Sequence, residues 1–247
     1  MDIQAVAFDV NGTLIRILTD EGAEQIFRSA AHFLSYQGID LRRHEVRDLY
    51  FRFLKEQQQA SPEEHPEFDA VGIWRSIING HLTDFTQALP AGKLEQMPLF
   101  LAEMSRGISR HQLGLYPHVR EVLDVLRGRY PLAIVTDAQS AYARGELYKV
   151  GLLDHFDPIV VSGDYGYRKP DRRLFQFALD GMGAPAERTL YVGNDIYRDV
   201  FGAREAGLQT VMFDSDQGTK AYQDCVPDYT ITDFRDLLTI LGLEIGI

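Results

Sequence analysis

The chain has 247 residues, 45% of them hydrophobic, which is material for one large domain or for a domain with a smaller one inserted. Its 36 acidic residues outnumber 25 basic ones, and a formal charge of −11 repels a phosphate backbone, so nucleic acid is not an expected partner. A lone cysteine, Cys225, rules out an intrachain disulfide and a thiolate metal cluster; with neither a basic-then-apolar leader nor a membrane-length apolar run, a cytoplasmic protein with no membrane partner is expected.

In chain order, the first predicted element is a strand over residues 4–8, an apolar run that ends abruptly at the carboxylate of Asp9. Gly12, three residues later, lets the backbone bend away. Arg16 follows closely, placed either to reach a substrate anion or to form a surface salt bridge. Residues 17–114 carry no convincing buried strand. Four stretches, 23–36, 43–58, 68–82 and 93–108, space their apolar residues at three and four, as in Phe68, Val71, Trp74, Ile78 and Leu82. Pro62, Pro66, Pro90 and Gly38 punctuate them, so the segment is expected to be a helical bundle with Trp74 in its core and Gln57-Gln58-Gln59 on a solvated face.

From Leu115 onward the texture changes to short aliphatic runs alternating with helical stretches. Strands are predicted at 132–135, 159–162, 190–192, 210–213 and 229–231, the pattern of a parallel sheet covered by helices. The expected architecture is an α/β core from residues 1–16 and 115–247, with 17–114 as an inserted α-helical domain. Several predicted strands end where a polar residue appears, at the carboxyl edge where open α/β sheets place their ligands.

Chemistry concentrates at those ends. Ala133-Ile134-Val135-Thr136-Asp137 closes a strand with a hydroxyl and a carboxylate. Tyr167-Arg168-Lys169-Pro170-Asp171 opens a helix, and its proline is expected to fix the helix start and so aim Lys169. Leu190-Tyr191-Val192-Gly193-Asn194-Asp195-Ile196-Tyr197-Arg198-Asp199 ends a strand in an amide and two carboxylates. The seven histidines show no His-x-x-x-His pair, so zinc is not expected, and Ser140 and Ser162 lack a nucleophile-elbow context.

Together with Ala5-Val6-Ala7-Phe8-Asp9-Val10-Asn11-Gly12-Thr13-Leu14, these motifs, in this order, resemble the signatures of the haloacid dehalogenase-like hydrolase superfamily, in a member with an inserted helical cap. The resemblance covers essentially the whole chain and implies a Rossmann-like parallel core. It implies that Asp9 is a nucleophile forming a covalent aspartyl intermediate. It implies that Thr136 hydrogen-bonds a phosphoryl oxygen, that Asp137 stands where asparagine is common, and that Lys169 pairs with the nucleophile and the transferred group. Mg2+ is the implied cofactor, held by Asp9, the Asn11 carbonyl and either Asp195 or the Asn194 amide, with Asp199 in support.

Two departures from the pattern matter. Asn11 stands where a carboxyl usually protonates the leaving group, and an amide does not titrate near neutral pH. Asn194 stands where an acidic residue usually follows the glycine. The implied function is a magnesium-dependent phosphohydrolase of a small phosphorylated metabolite, favouring aryl or acyl phosphates whose leaving groups need little protonation. Two alternatives stand beside it: a catalytically impaired protein that binds a phosphorylated ligand or another protein, and a 2-haloacid dehalogenase, which needs no acid for the departing halide but whose subgroup typically carries tyrosine at the position of Asn11. Oligomeric state is left open.

Overall fold

The computed structural model describes residues 2–243. They form two compact units, one built from residues up to Ile17 together with those from Leu113 onward, the other from Leu18–Gln112. The chain begins with β1 (Ala5–Phe8) and β2 (Ile15–Thr19). It then runs through α1 (Glu24–Tyr36), α2 (Arg43–Ala60), α3 (Ala70–Asn79), the single turn α4 (Asp84–Gln87) and α5 (Ala91–Ser109). After β3 (Arg110–Leu115) come α6 (Val119–Leu126), β4 (Leu132–Thr136), α7 (Ser140–Lys149), β5 (Ile159–Val161), α8 (Arg172–Met182) and β6 (Thr189–Gly193). A six-residue π-helical turn, Ile196–Phe201, leads into α9 (Gly202–Glu205), β7 (Gln209–Phe213), β8 (Tyr229–Ile231) and α10 (Asp236–Ile240).

Six strands form one sheet in the order β5-β4-β1-β6-β7-β8, and every neighbouring pair is parallel. The parallel α/β core expected from the alternation of strand and helix is therefore present. β1 lies inside it, buried on both faces, which is why its sequence is a continuous apolar run rather than an alternating one. Side chains still sort by the two-residue period of a strand. Phe8, Ile134, Val192 and Phe213 face one core layer with Val122, Leu126, Phe234 and Leu237. Ala7, Ala133, Val135 and Tyr191 face the other, with Leu174, Phe175 and Ala178 of α8 and Ala203 of α9. Each fully buried large side chain contributes roughly 1.5–3 kcal/mol.

The second unit is helical. Trp74 is fully buried there, its ring 5.1 Å from that of Tyr50. The structure departs from the sequence reading in several places. β2 and β3 pair as a separate two-stranded sheet, which was not expected because Arg110-His111-Gln112 is polar and only one neighbour is needed to satisfy it. Gln57 does not sit idle on a solvated face; its side chain accepts the Asp69 amide at 2.9 Å and so ties α2 to the start of α3. Of the two roles expected for Arg16, the structure shows the surface salt bridge, with Asp216 at 2.6 Å. Pro170 lies before α8 rather than in its first turn, and the N-cap is Asp171, whose carboxylate accepts from Arg173 N. Among the described residues no helix is long and apolar enough to cross a membrane.

Phe234 packs edge-to-face on Phe213, with centroids 5.3 Å apart, and stacks with Phe8 at 6.3 Å. Phe234→Ala is expected to lower the unfolding free energy by roughly 3–5 kcal/mol in urea denaturation followed by circular dichroism. A loss below about 1 kcal/mol would mean that this layer relaxes around the cavity instead of depending on the ring.

Candidate active site

β1, β4 and β6 are adjacent, so their carboxyl ends open side by side. Asp9 follows β1 directly, and its amide donates to the Val192 carbonyl at 2.9 Å, which holds it level with the end of β6. The chain then turns sharply: the amides of Leu14 and Ile15 both return to the Val10 carbonyl at 2.9 Å. Gly12 takes φ +91° in that turn, and a Cβ there would lie 2.3 Å from Asn194 Nδ2, so the first and fourth motifs approach each other only because this residue is glycine. Gly193 serves the same purpose for Asp199, whose Cβ would stand 2.4 Å from an added methyl.

Lys169 is the centre of the site. Its Nζ donates to Asp9 Oδ1 at 2.7 Å and to Asp199 Oδ1 at 2.6 Å, and it lies 3.1 Å from the Val135 carbonyl and 3.2 Å from Tyr191 Oη. All three ionic side chains are almost completely buried. Burial alone would push the ammonium towards neutrality, but Asp199 and Asp9 outweigh it and hold its pKa well above the ordinary value. The lysine is aimed from behind by Asp137, whose Oδ1 accepts the Lys169 amide at 2.9 Å.

The fourth motif divides its labour. Asp199 gives Oδ1 to Lys169 and Oδ2 to the amides of Asn194 and Asp195, both at 3.0 Å. Asp195 is fully engaged as a cap: Oδ1 accepts from the amides of Tyr197 and Arg198, and Oδ2 from the Arg198 guanidinium and the Thr219 amide. Burial works against that charge, but the hydrogen bonds from Arg198 and Thr219 prevail and keep its pKa below the usual carboxylate range. Asn194 is the member that turns to the nucleophile. Thr13 Oγ1 stands 2.9 Å from Asp9 Oδ2 and 3.1 Å from Asn194 Oδ1, with one proton for two acceptors.

Three buried polar atoms at this edge have no hydrogen-bond partner among the described residues: Asn11 Oδ1, Thr136 Oγ1 and Asp137 Oδ2. Leaving such a group unsatisfied costs about 1–3 kcal/mol, and a cluster of them at the open end of a sheet marks a place for a polar ligand. Thr13 and Tyr191 were not singled out from the sequence. Tyr191 had a visible signal, since it is the one polar side chain between Leu190 and Val192 in a buried strand.

A family model described as haloacid dehalogenase-like hydrolase matches residues 3–207. A phosphoserine phosphatase of Thermus thermophilus is 35% identical over 175 residues, covering 70% of this chain and 68% of that one. A glyceraldehyde 3-phosphate phosphatase of Methanocaldococcus jannaschii is 24% identical over 241 residues, 97% of each chain. Among solved structures, a 2-haloacid dehalogenase from Pseudomonas syringae shares the fold with a TM-score of 0.68 and 23% identity, over 97% of this chain and 98% of its own. With a sequence model spanning most of its length and motifs that meet at one sheet edge, the chain belongs to the haloacid dehalogenase-like hydrolases.

Proposed function

We propose that the protein is a magnesium-dependent phosphohydrolase of a small phosphorylated metabolite, working through a phosphoryl intermediate on Asp9. The observation that carries this reading is the buried ammonium of Lys169 held between Asp9 and Asp199. It orients Asp9, and leaves positive charge where a transferred phosphoryl group accumulates negative charge. Thr136, whose hydroxyl has no hydrogen-bond partner among the described residues, donates to a phosphoryl oxygen. The names of the relatives, phosphatases of phosphoserine and of glyceraldehyde 3-phosphate, support the same class.

The residues present fit Mg2+. Asp9 Oδ2 and Asn194 Oδ1 compete for a single hydroxyl proton, so at least one hard oxygen lacks a donor. Asp9, the Asn11 carbonyl and Asn194 would hold the ion, with waters and substrate oxygens completing its shell. When bound it would neutralise charge on the phosphoryl oxygens. Asp195 and Asp199, expected to support the metal, have their oxygens committed elsewhere and act by placing Asn194 and Lys169.

Two outcomes are expected. Asp9→Asn reduces phosphate release from an aryl phosphate to background, as does a chelator, with Mg2+ restoring only the chelated sample. Persistent release by Asp9→Asn would remove that carboxylate from the chemistry. No metal-dependent release by the unaltered chain would favour a non-hydrolytic binding role. Separately, Lys169→Met leaves two carboxylates buried and unpaired and is expected to cost roughly 3–5 kcal/mol of stability. Because folded Lys169 holds its proton above the unfolded value of about 10.4, its contribution is full below that pH and is lost as pH rises through the folded value. Unfolding curves of the two proteins should therefore converge only in strongly alkaline buffer.

A further inference from the structure

Breaking an alkyl phosphate ester needs a proton for the departing oxygen, and Asn11 has none to give. The other groups of the site are committed. Asp9 is the nucleophile, both oxygens of Asp199 and of Asp195 accept hydrogen bonds, and Lys169 is surrounded by acceptors. Asp137 differs. One oxygen is fixed by the Lys169 amide, while Oδ2 is buried with no hydrogen-bond partner among the described residues. Its place is also right: β1 and β4 pair in register at Phe8 and Ile134, and Asn11 and Asp137 each lie three residues further along. β1 ends at Phe8 and β4 two residues beyond Ile134, at Thr136, so Asn11 and Asp137 both emerge at the carboxyl edge from adjacent strands, which are spaced about 4.8 Å apart.

We infer that Asp137 is the general acid and base of the reaction, supplying from β4 the proton that Asn11 cannot supply from β1. This rests on the phosphohydrolase reading above. In the first half-reaction the bond from Asp9 to phosphorus forms as the bond from phosphorus to the ester oxygen breaks, and the Asp137 proton passes to that oxygen, which leaves as an alcohol. In the second, the Asp137 carboxylate takes a proton from the water whose oxygen bonds to phosphorus as the bond to Asp9 breaks. Inorganic phosphate leaves, Asp9 is restored and Asp137 is again an acid.

The surroundings allow the proton to be held. Burial pushes the Asp137 carboxyl above its ordinary value, against the Lys169 ammonium and amide and the Arg198 guanidinium, with Asp199 adding to the upward push. Arg198 is 3.8 Å from Oδ2, too far for a hydrogen bond.

Asp137→Asn tests this, because the amide oxygen can still accept the Lys169 amide. Phosphate release is measured from primary alkyl phosphates and from p-nitrophenyl phosphate, whose leaving group needs no acid. The substitution should lower alkyl turnover about 10²–10⁴-fold with a far smaller loss on the aryl ester. It should also remove the fall in alkyl turnover on the alkaline side of the pH profile, and adding Asn11→Asp should restore part of the alkyl activity. Equal losses on both esters, an unchanged alkyl rate, or an unaltered chain that cleaves aryl but no alkyl phosphates would overturn the assignment. Absence of metal-dependent release from either class by the unaltered chain would instead refute the phosphohydrolase reading itself.

Discussion

A lysine ammonium placed between two carboxylates, with almost no solvent on any of the three, sets the terms for the rest of the α/β unit. The two carboxylates are tolerable there because the ammonium lies within 2.7 Å of each, and removing the lysine would leave two like charges in a medium that solvates them poorly. Through Lys169 the site joins four separate stretches of chain: Asp9 beyond β1, the Val135 carbonyl on β4, Tyr191 on β6, and Asp199 in the π-helical turn. The arrangement requires β4, β1 and β6 to bring their carboxyl ends to one edge, as their adjacency in the sheet does. Fold and site thus specify each other.

The sheet explains why this meeting occurs where it does. In an all-parallel sheet the carboxyl ends of neighbouring strands share one edge, and the loops beyond them converge. Close approach then becomes the difficulty. Gly12 and Gly193 resolve it at the two tightest points, where any Cβ would collide with Asn194 or Asp199. The engaged oxygens of Asp195 complete the scheme by holding the π-helical turn against Thr219, which leaves Asn194 facing the nucleophile.

Much of this was legible in the sequence, for identifiable reasons. The core strands announce themselves because burial on both faces demands unbroken apolar runs, and the site residues stand where those runs stop. β2 and β3 were not legible, because an exposed two-stranded ribbon places little demand on composition. The choice between Asn194 and Asp195 turns on which side chain is consumed by capping its own turn, a matter of backbone geometry in the π-helical segment. Along the sequence, Asn11 and Asp137 are unrelated departures from a pattern; only the pairing of β1 with β4 brings them to the same edge of the sheet. Pro170 misleads for a related reason, since a proline beside a helix start does not say whether it lies inside or before the cap.

The central claim is that the carboxylate held by Lys169 becomes covalently phosphorylated. Rapid acid quenching during turnover, followed by borohydride reduction and peptide mass spectrometry, reports this directly, because an acyl phosphate is reduced to an alcohol and a free carboxylate is not. The account predicts conversion of Asp9 to homoserine in the peptide that ends at Arg16, only when substrate is present. Steady turnover with Asp9 unmodified in that peptide, or with the modification on another carboxylate, would contradict it.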